Sequence, residues 1–106
     1  LPEEDVEGED LEEVMRYPES VILEYNENDG TQIVYGAETT VSDAYDFYET
    51  FFEGDEWSLE YEDIDIEDGG FIMTYEKEGD LYTVIADEDN PYQDAITIVI
   101  GKNLEP

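Results

Sequence analysis

The sequence predicts an α+β fold: a mainly antiparallel sheet of about six strands, in the order β-β-α-β-β-β-β, with one helix packed on one face. Three observations predict it. Residues 39–57, TTVSDAYDFYETFFEGDEW, are the one stretch with sustained helical periodicity. Short β-branched and aromatic runs lie before and after it. The links between those runs are turn formers, too short for the crossovers that parallel neighbours need.

Residues 1–9 are acidic, contain Pro2 and Gly8, and hold only Val6 as an interior apolar residue. They read as a disordered acidic leader or linker ahead of a single domain spanning 10–103. Residues 10–16 offer a short helical turn, with Asp10 as cap and Leu11, Val14 and Met15 on one face. Pro18 ends it, because the residue before a proline is pushed toward extended geometry. In 20–25, Val21, Leu23 and Tyr25 share one face of a strand, with Ile22 and Glu24 on the other. The run NENDG at 26–30 is dense with turn formers. Residues 31–37 return as a strand with Ile33, Tyr35 and Ala37 on one face, completing a hairpin.

In the helix, Thr40 suits the N-cap, and Asp43 three residues on makes an approximate capping box. Val41, Ala44, Tyr48, Phe51 and Phe52 recur at three and four, with Tyr45 and Phe47 flanking the stripe. Gly54 is the expected C′ residue. So aromatic a stripe is expected to lie on the sheet, opposite Leu59, Ile96, Ile98 and Ile100, as core rather than as a ligand box. Trp57, Leu59 and Tyr61 alternate with Ser58, Glu60 and Glu62, and the parity then breaks before Ile64 and Ile66, which predicts a bulge or an irregular approach to the turn. Asp68-Gly69-Gly70 is a turn. Residues 71–76 and 81–86 are strands joined by Lys77-Glu78-Gly79-Asp80. Residues 87–94, DEDNPYQD, are a longer loop, and 95–100, AITIVI, are the most apolar strand. With the helix on one face only, either Tyr82 and Val84 or Leu81, Thr83 and Ile85 look outward.

Charge dominates the composition. The 106 residues carry 33 acids against Arg16, Lys77 and Lys102, a net charge of −30. A folded chain of this mass exposes roughly 6,000 Å², which puts neighbouring carboxylates about 13 Å apart. The Debye length is about 8 Å at physiological ionic strength and about 3 Å at 1 M, so the closest pairs fall quiet only in molar salt. The composition resembles that of proteins from salt-loving microbes. There is no Cys and no His, which removes disulfides, thiolate and imidazole chemistry and the usual zinc sites. No run reaches the ~18–20 apolar residues of a membrane span.

An enzyme is not expected. Ser20, Ser42 and Ser58 have no imidazole to activate them, and no phosphate-binding glycine loop is present. Direct binding of nucleic acid is not expected either, since three cations cannot neutralise a phosphate backbone. No catalytic or cofactor-binding residue stands out. Hard cations want oxygen ligands, so Asp63, Asp65 and Asp68 before Gly69, and Asp87, Asp89, Asn90 and Asp94 in the last loop, are weak metal candidates. Neither group fits the EF-hand spacing, and weak surface binding is favoured over a dedicated site. Tyr25, Tyr35, Tyr61, Tyr75, Tyr82 and Tyr92 are favoured as strand formers over a stacking platform.

Tyr17-Pro18-Glu19-Ser20 before a strand, Val41-Ser42-Asp43-Ala44-Tyr45-Asp46-Phe47-Tyr48 as a helix, and Trp57 opening the next strand form a series of landmarks. In this the chain resembles small extracytoplasmic prokaryotic domains, often lipoproteins, of uncharacterised function. Their Gly-Trp landmark is altered here, with Gly54 separated from Trp57 by Asp55-Glu56. The resemblance implies an exported domain, secreted or tethered to a membrane through an upstream segment, with a helix packed on a sheet. The expected function is a non-enzymatic accessory or binding domain adapted to high salt, with an unknown protein partner. Two alternatives stay open: an acidic calcium-binding module, and a DNA mimic that inhibits a basic nucleic-acid-binding protein.

Overall fold

A computed structural model describes residues 1–27, 30–90, 92 and 94–104. Six strands form one antiparallel sheet: β1 (Val21–Asn26), β2 (Thr31–Ala37), β3 (Ser58–Asp65), β4 (Gly70–Lys77), β5 (Asp80–Asp87) and β6 (Ile96–Lys102). The helix α1 (Val41–Phe51) lies between β2 and β3 in the chain, so the expected α+β order holds. Across the sheet the order is β1-β2-β6-β5-β4-β3. The β1–β2 hairpin ends near the middle of the sheet, α1 carries the chain to the far edge, and β3 to β6 meander back until β6 pairs with β2. Residues 28, 29, 91 and 93, in the middle of two expected turns, lie outside the described residues.

The core lies between α1 and one face of the sheet. Val41, Ala44, Tyr48 and Phe52 of the helix segment are buried, as are Ile33, Tyr35, Phe71, Met73, Tyr82, Val84, Ile96, Ile98 and Ile100 of the sheet. Thr40 caps the helix, its Oγ1 accepting the Asp43 N–H at 3.1 Å. Gly54 does take positive φ, at 120°, but the cap residue is Phe52 and Glu53 follows it. Gly54 is thus one position beyond C′, because the Glu53 N–H closes a further tight turn onto the Thr50 carbonyl at 3.2 Å.

Three packing expectations are corrected. Leu59 lies on the helix side of the sheet but is not packed under it; it is 51 % exposed on the edge strand, beyond β4 and β5, on which α1 packs. Phe51 is only partly buried, since it lies at the flank of the stripe while Phe52 fills the space beneath Trp57 and Tyr75. In β1, Tyr25 does not share a face with Val21 and Leu23; it lies on the same side as Ile22, which enters the core. The register of β1 slips between Ile22 and Glu24, so one bulge puts both Ile22 and Tyr25 on the core face. The irregularity in β3 comes earlier than expected: a bulge between Leu59 and Tyr61 puts Tyr61 on the opposite face from Leu59, not on the same one.

Residues 10–16 form no helix. A single isolated turn is costly to nucleate, and the Asp10 carboxylate is engaged elsewhere, by Arg16 at 2.9 Å and by the Tyr35 hydroxyl at 2.7 Å. Val14 still inserts into the core. Residues 1–9 run beside β1. Asp5 takes Arg16 in a two-pronged pair at 3.0 Å and accepts the Ile22 N–H at 2.9 Å, and the Val6 N–H meets the Ile22 carbonyl. The Tyr17-Pro18-Glu19-Ser20 landmark is a tight turn. The Ser20 N–H bonds the Tyr17 carbonyl at 3.1 Å, and Glu19 holds φ at 64°.

Candidate functional site

With α1 covering one face, the opposite face of the sheet meets solvent. Register fixes what it presents. Val34, Val99, Ile85 and Ile72 stand side by side across β2, β6, β5 and β4, all partly buried, and Asp63 of β3 ends the row. Of the two sets in β5, Leu81, Thr83 and Ile85 look outward, and Tyr82 and Val84 look into the core. Leu1 and Leu23 lie over Gly36, and Leu104 lies over Gly101, so the chain's own ends trim this face.

The next row runs Asp65–Gly70–Asp87 across β3, β4 and β5. Gly70 has no side chain, so the two carboxylates flank an open floor, where an added Cβ would stand 3.0 Å from the Ala86 carbonyl. The result is a cleft of about 290 Å³ lined by Asp63, Asp65, Asp68 and Asp87 over Gly70, Ile72 and Ile85. Four of the seven expected metal candidates therefore converge. Asp65 Oδ1 accepts the Asp68 N–H at 3.2 Å, which turns the chain toward Gly69. Asp68 has its carboxyl pushed above its ordinary pKa by hydrogen bonding and repulsion from Asp65. The described residues contain no group of three or more acids arranged to hold a metal ion.

The other three candidates do not join them. Asp89 and Asp94 border a separate hollow of about 510 Å³ at the start of α1, beside Thr40 and Glu88. Asn90 is committed to folding its own loop: its amide donates to the Glu88 and Ala95 carbonyls, and its carbonyl accepts the Tyr92 N–H. The tyrosines share no surface. Tyr35 and Tyr82 are buried, Tyr75 stacks on Phe52 at 4.2 Å, and Tyr61 stands 53 % exposed on the outer face.

All three cations of the chain are tied down. Arg16 lies over the Tyr35 ring between Asp5 and Asp10. Its hydrogen bond to Asp5 leads the causes that raise its pKa, and the same bond lowers that of Asp5. Lys77 lies 5.0 Å from the Trp57 ring and 3.3 Å from Glu56. Lys102 lies 5.6 Å from the Tyr82 ring and bridges Glu13 and Asp80. Each cation thus joins an aromatic of the core to a carboxylate of the surface.

Sequence reasoning picked out Asp63, Asp65 and Asp68 from their proximity in the chain but could not bring Asp87 to them. The one local signal was the Gly69-Gly70 pair, which marks a place where the backbone must stay uncovered. Compared with known proteins, the chain matches no family model, no curated protein and no solved structure.

Proposed function

We propose that this chain is a non-enzymatic binding or accessory domain, acting outside the cytoplasm, whose surface is adapted to high salt. The observation that carries the reading is the fate of the three cations. Each is drawn onto an aromatic ring and one or two adjacent carboxylates, so none remains to separate the other acids. An accessible surface of 6606 Å² is then shared by 33 acids, about 200 Å² each, and most of the compensation falls to dissolved cations. The binding half of the reading draws on the outer sheet face, where a partly buried aliphatic row ends in carboxylates. The location rests on the landmarks that resemble extracytoplasmic domains. Thermal melts in a KCl or NaCl series at pH 7.5 test the salt adaptation: the melting temperature should climb steeply to about 1 M chloride, where the screening length is ~3 Å. A melting temperature flat in chloride would remove the reading.

A second reading, weak cation binding, is favoured by one observation: Asp63, Asp65, Asp68 and Asp87 meet at one cleft, and Asp68 is held above its ordinary pKa by its neighbour. A hard divalent cation relieves that repulsion. A calcium titration at fixed ionic strength decides it. A rise in melting temperature at micromolar calcium, matched by neither magnesium nor sodium, would favour a dedicated site; equal responses would leave only screening.

A further inference from the structure

The two edges of the sheet differ. On β1 the leader closes the edge at Ile22, whose N–H bonds Asp5 at 2.9 Å and whose carbonyl accepts the Val6 N–H at 3.0 Å. On β3, at the opposite end, no backbone group bonds anything but the β4 ladder among the described residues. An open row of N–H and C=O groups is a template for another strand. β3 is eight residues long, exposed at every position but Ile64. It also carries two of the large exposed hydrophobic residues, Leu59 and Tyr61.

The chemistry of the edge selects its occupant. A second copy pairing through β3 would set Glu60, Glu62, Asp63 and Asp65 against the same acidic run of the other copy, and like charges directly opposite are destabilising. The complementary strand is basic. Register puts Tyr61, Asp63 and Asp65 on the outer face, and Leu59, Glu62 and Ile64 on the face that continues the core. We propose that β3 receives, as a seventh strand, an extended segment of a partner protein in which Lys or Arg alternates with aliphatic residues. Its cations meet Asp63 and Asp65, and its aliphatic residues lie along Leu59 and Ile64. The backbone ladder supplies affinity and the charge pattern supplies the choice of partner. Molar salt screens attraction to the rest of the surface more than it weakens carboxylate–ammonium pairs in direct contact, and it leaves the backbone hydrogen bonds in place. The assignment rests on the binding-domain reading above.

The probe is an octapeptide alternating Lys and Val, capped at both ends, added to the full chain in 1 M KCl. A control peptide of equal charge carries N-methyl groups on the amides of one edge. Amide hydrogen exchange should slow at least tenfold within residues 58–65 with the first peptide and not with the second. The triple variant Glu62→Lys, Asp63→Lys, Asp65→Lys should lose at least tenfold in affinity. The variant Glu3→Lys, Glu4→Lys, Glu7→Lys has the same change in charge away from β3 and should keep its affinity. Equal affinity for the N-methylated peptide, protection spread over the whole surface, or equal loss in both variants would reduce the effect to charge adsorption and overturn the proposal. So would a dimer paired through β3 in sedimentation at 1 M KCl. If these fail while melting still depends on chloride, the partner assignment falls alone.

Discussion

Phe51 and Phe52 are adjacent at the end of α1 and have different fates. Phe52 is 4 % exposed, stacked on Tyr75 and edge-on to Trp57 at 4.8 Å, whereas Phe51 lies beside Met15 and Phe47 at the rim of an apolar hollow. Phe52→Ala should cost ~3–5 kcal/mol and Phe51→Ala well under half of that. Urea titrations that give equal losses would show the flank to be as tightly packed as the core. The aromatic stripe was legible in the sequence because a period of 3.6 marks a side of a helix; which of two flanking rings is covered depends on where β4 and β5 lie, which periodicity does not contain. A second test concerns Asp68, whose carboxyl is raised from its ordinary 3.8 by Asp65. An acid raised in the folded state favours the fold at low pH and opposes it as pH rises through its folded pKa. Asp68→Asn should therefore raise the melting temperature at pH 7.5 and low salt, and change nothing below pH 3.8. A lower melting temperature at pH 7.5 would mean that Asp68 serves a contact its charge supports.

Among the elements, the turns are where sequence and geometry disagree most informatively. Tyr17 to Ser20 has Pro at the second position and positive φ at the third, Glu19 at 64°, the pattern of a type II turn that ordinarily takes glycine there. Glu19→Gly should stabilise the fold by ~1 kcal/mol, the left-handed penalty for a residue with a Cβ; a denaturation midpoint that falls would contradict this. Gly30 is the reverse case. Its φ is 104°, and a Cβ there would stand 2.4 Å from the Asn103 carbonyl oxygen. Gly30→Ala should cost more than Gly79→Ala, which has φ of 90° but open space around it, and paired urea titrations rank the two. Strand alternation announced β2, β4, β5 and β6 closely, since each has one buried face. The β1 bulge was hidden because Val21, Ile22 and Leu23 are all apolar, and either parity reads equally well. The turn at 10–16 failed for another reason: the cap residue Asp10 is claimed by Arg16 and Tyr35, partners that only the tertiary structure supplies.

At the scale of the whole molecule, folding gathers acids from an extended chain onto one small surface. Like charges crowded on one surface repel, so a large net charge opposes the compact state, and removing charge by protonation relieves that repulsion. Asp5 has the opposite sign: Arg16 lowers its pKa, so the stability it lends is present above its unfolded value of 3.8 and is lost as pH falls through its folded value. At pH 5 the clamp is intact, and whatever protonation the other acids undergo lowers the total charge. At low salt the melting temperature should be higher at pH 5 than at pH 7.5, before precipitation near the sequence pI of 4.1. The reverse order would show that local partners compensate the acids one by one. Composition made this surface plain from the start. The cleft was only half legible, because Asp87 reaches Asp65 through two strand registers across Gly70, and no spacing along the chain encodes that distance.

The position of β6 has a consequence in time. It is the last of the six strands along the chain, yet it lies in the middle of the sheet, joined to β2 on one side and β5 on the other. Until it arrives, the β1–β2 hairpin and the β3–β4–β5 meander have no strand pairing between them. During synthesis the two parts of the sheet therefore stay unjoined until residues 96–102 have emerged and taken their place between β2 and β5.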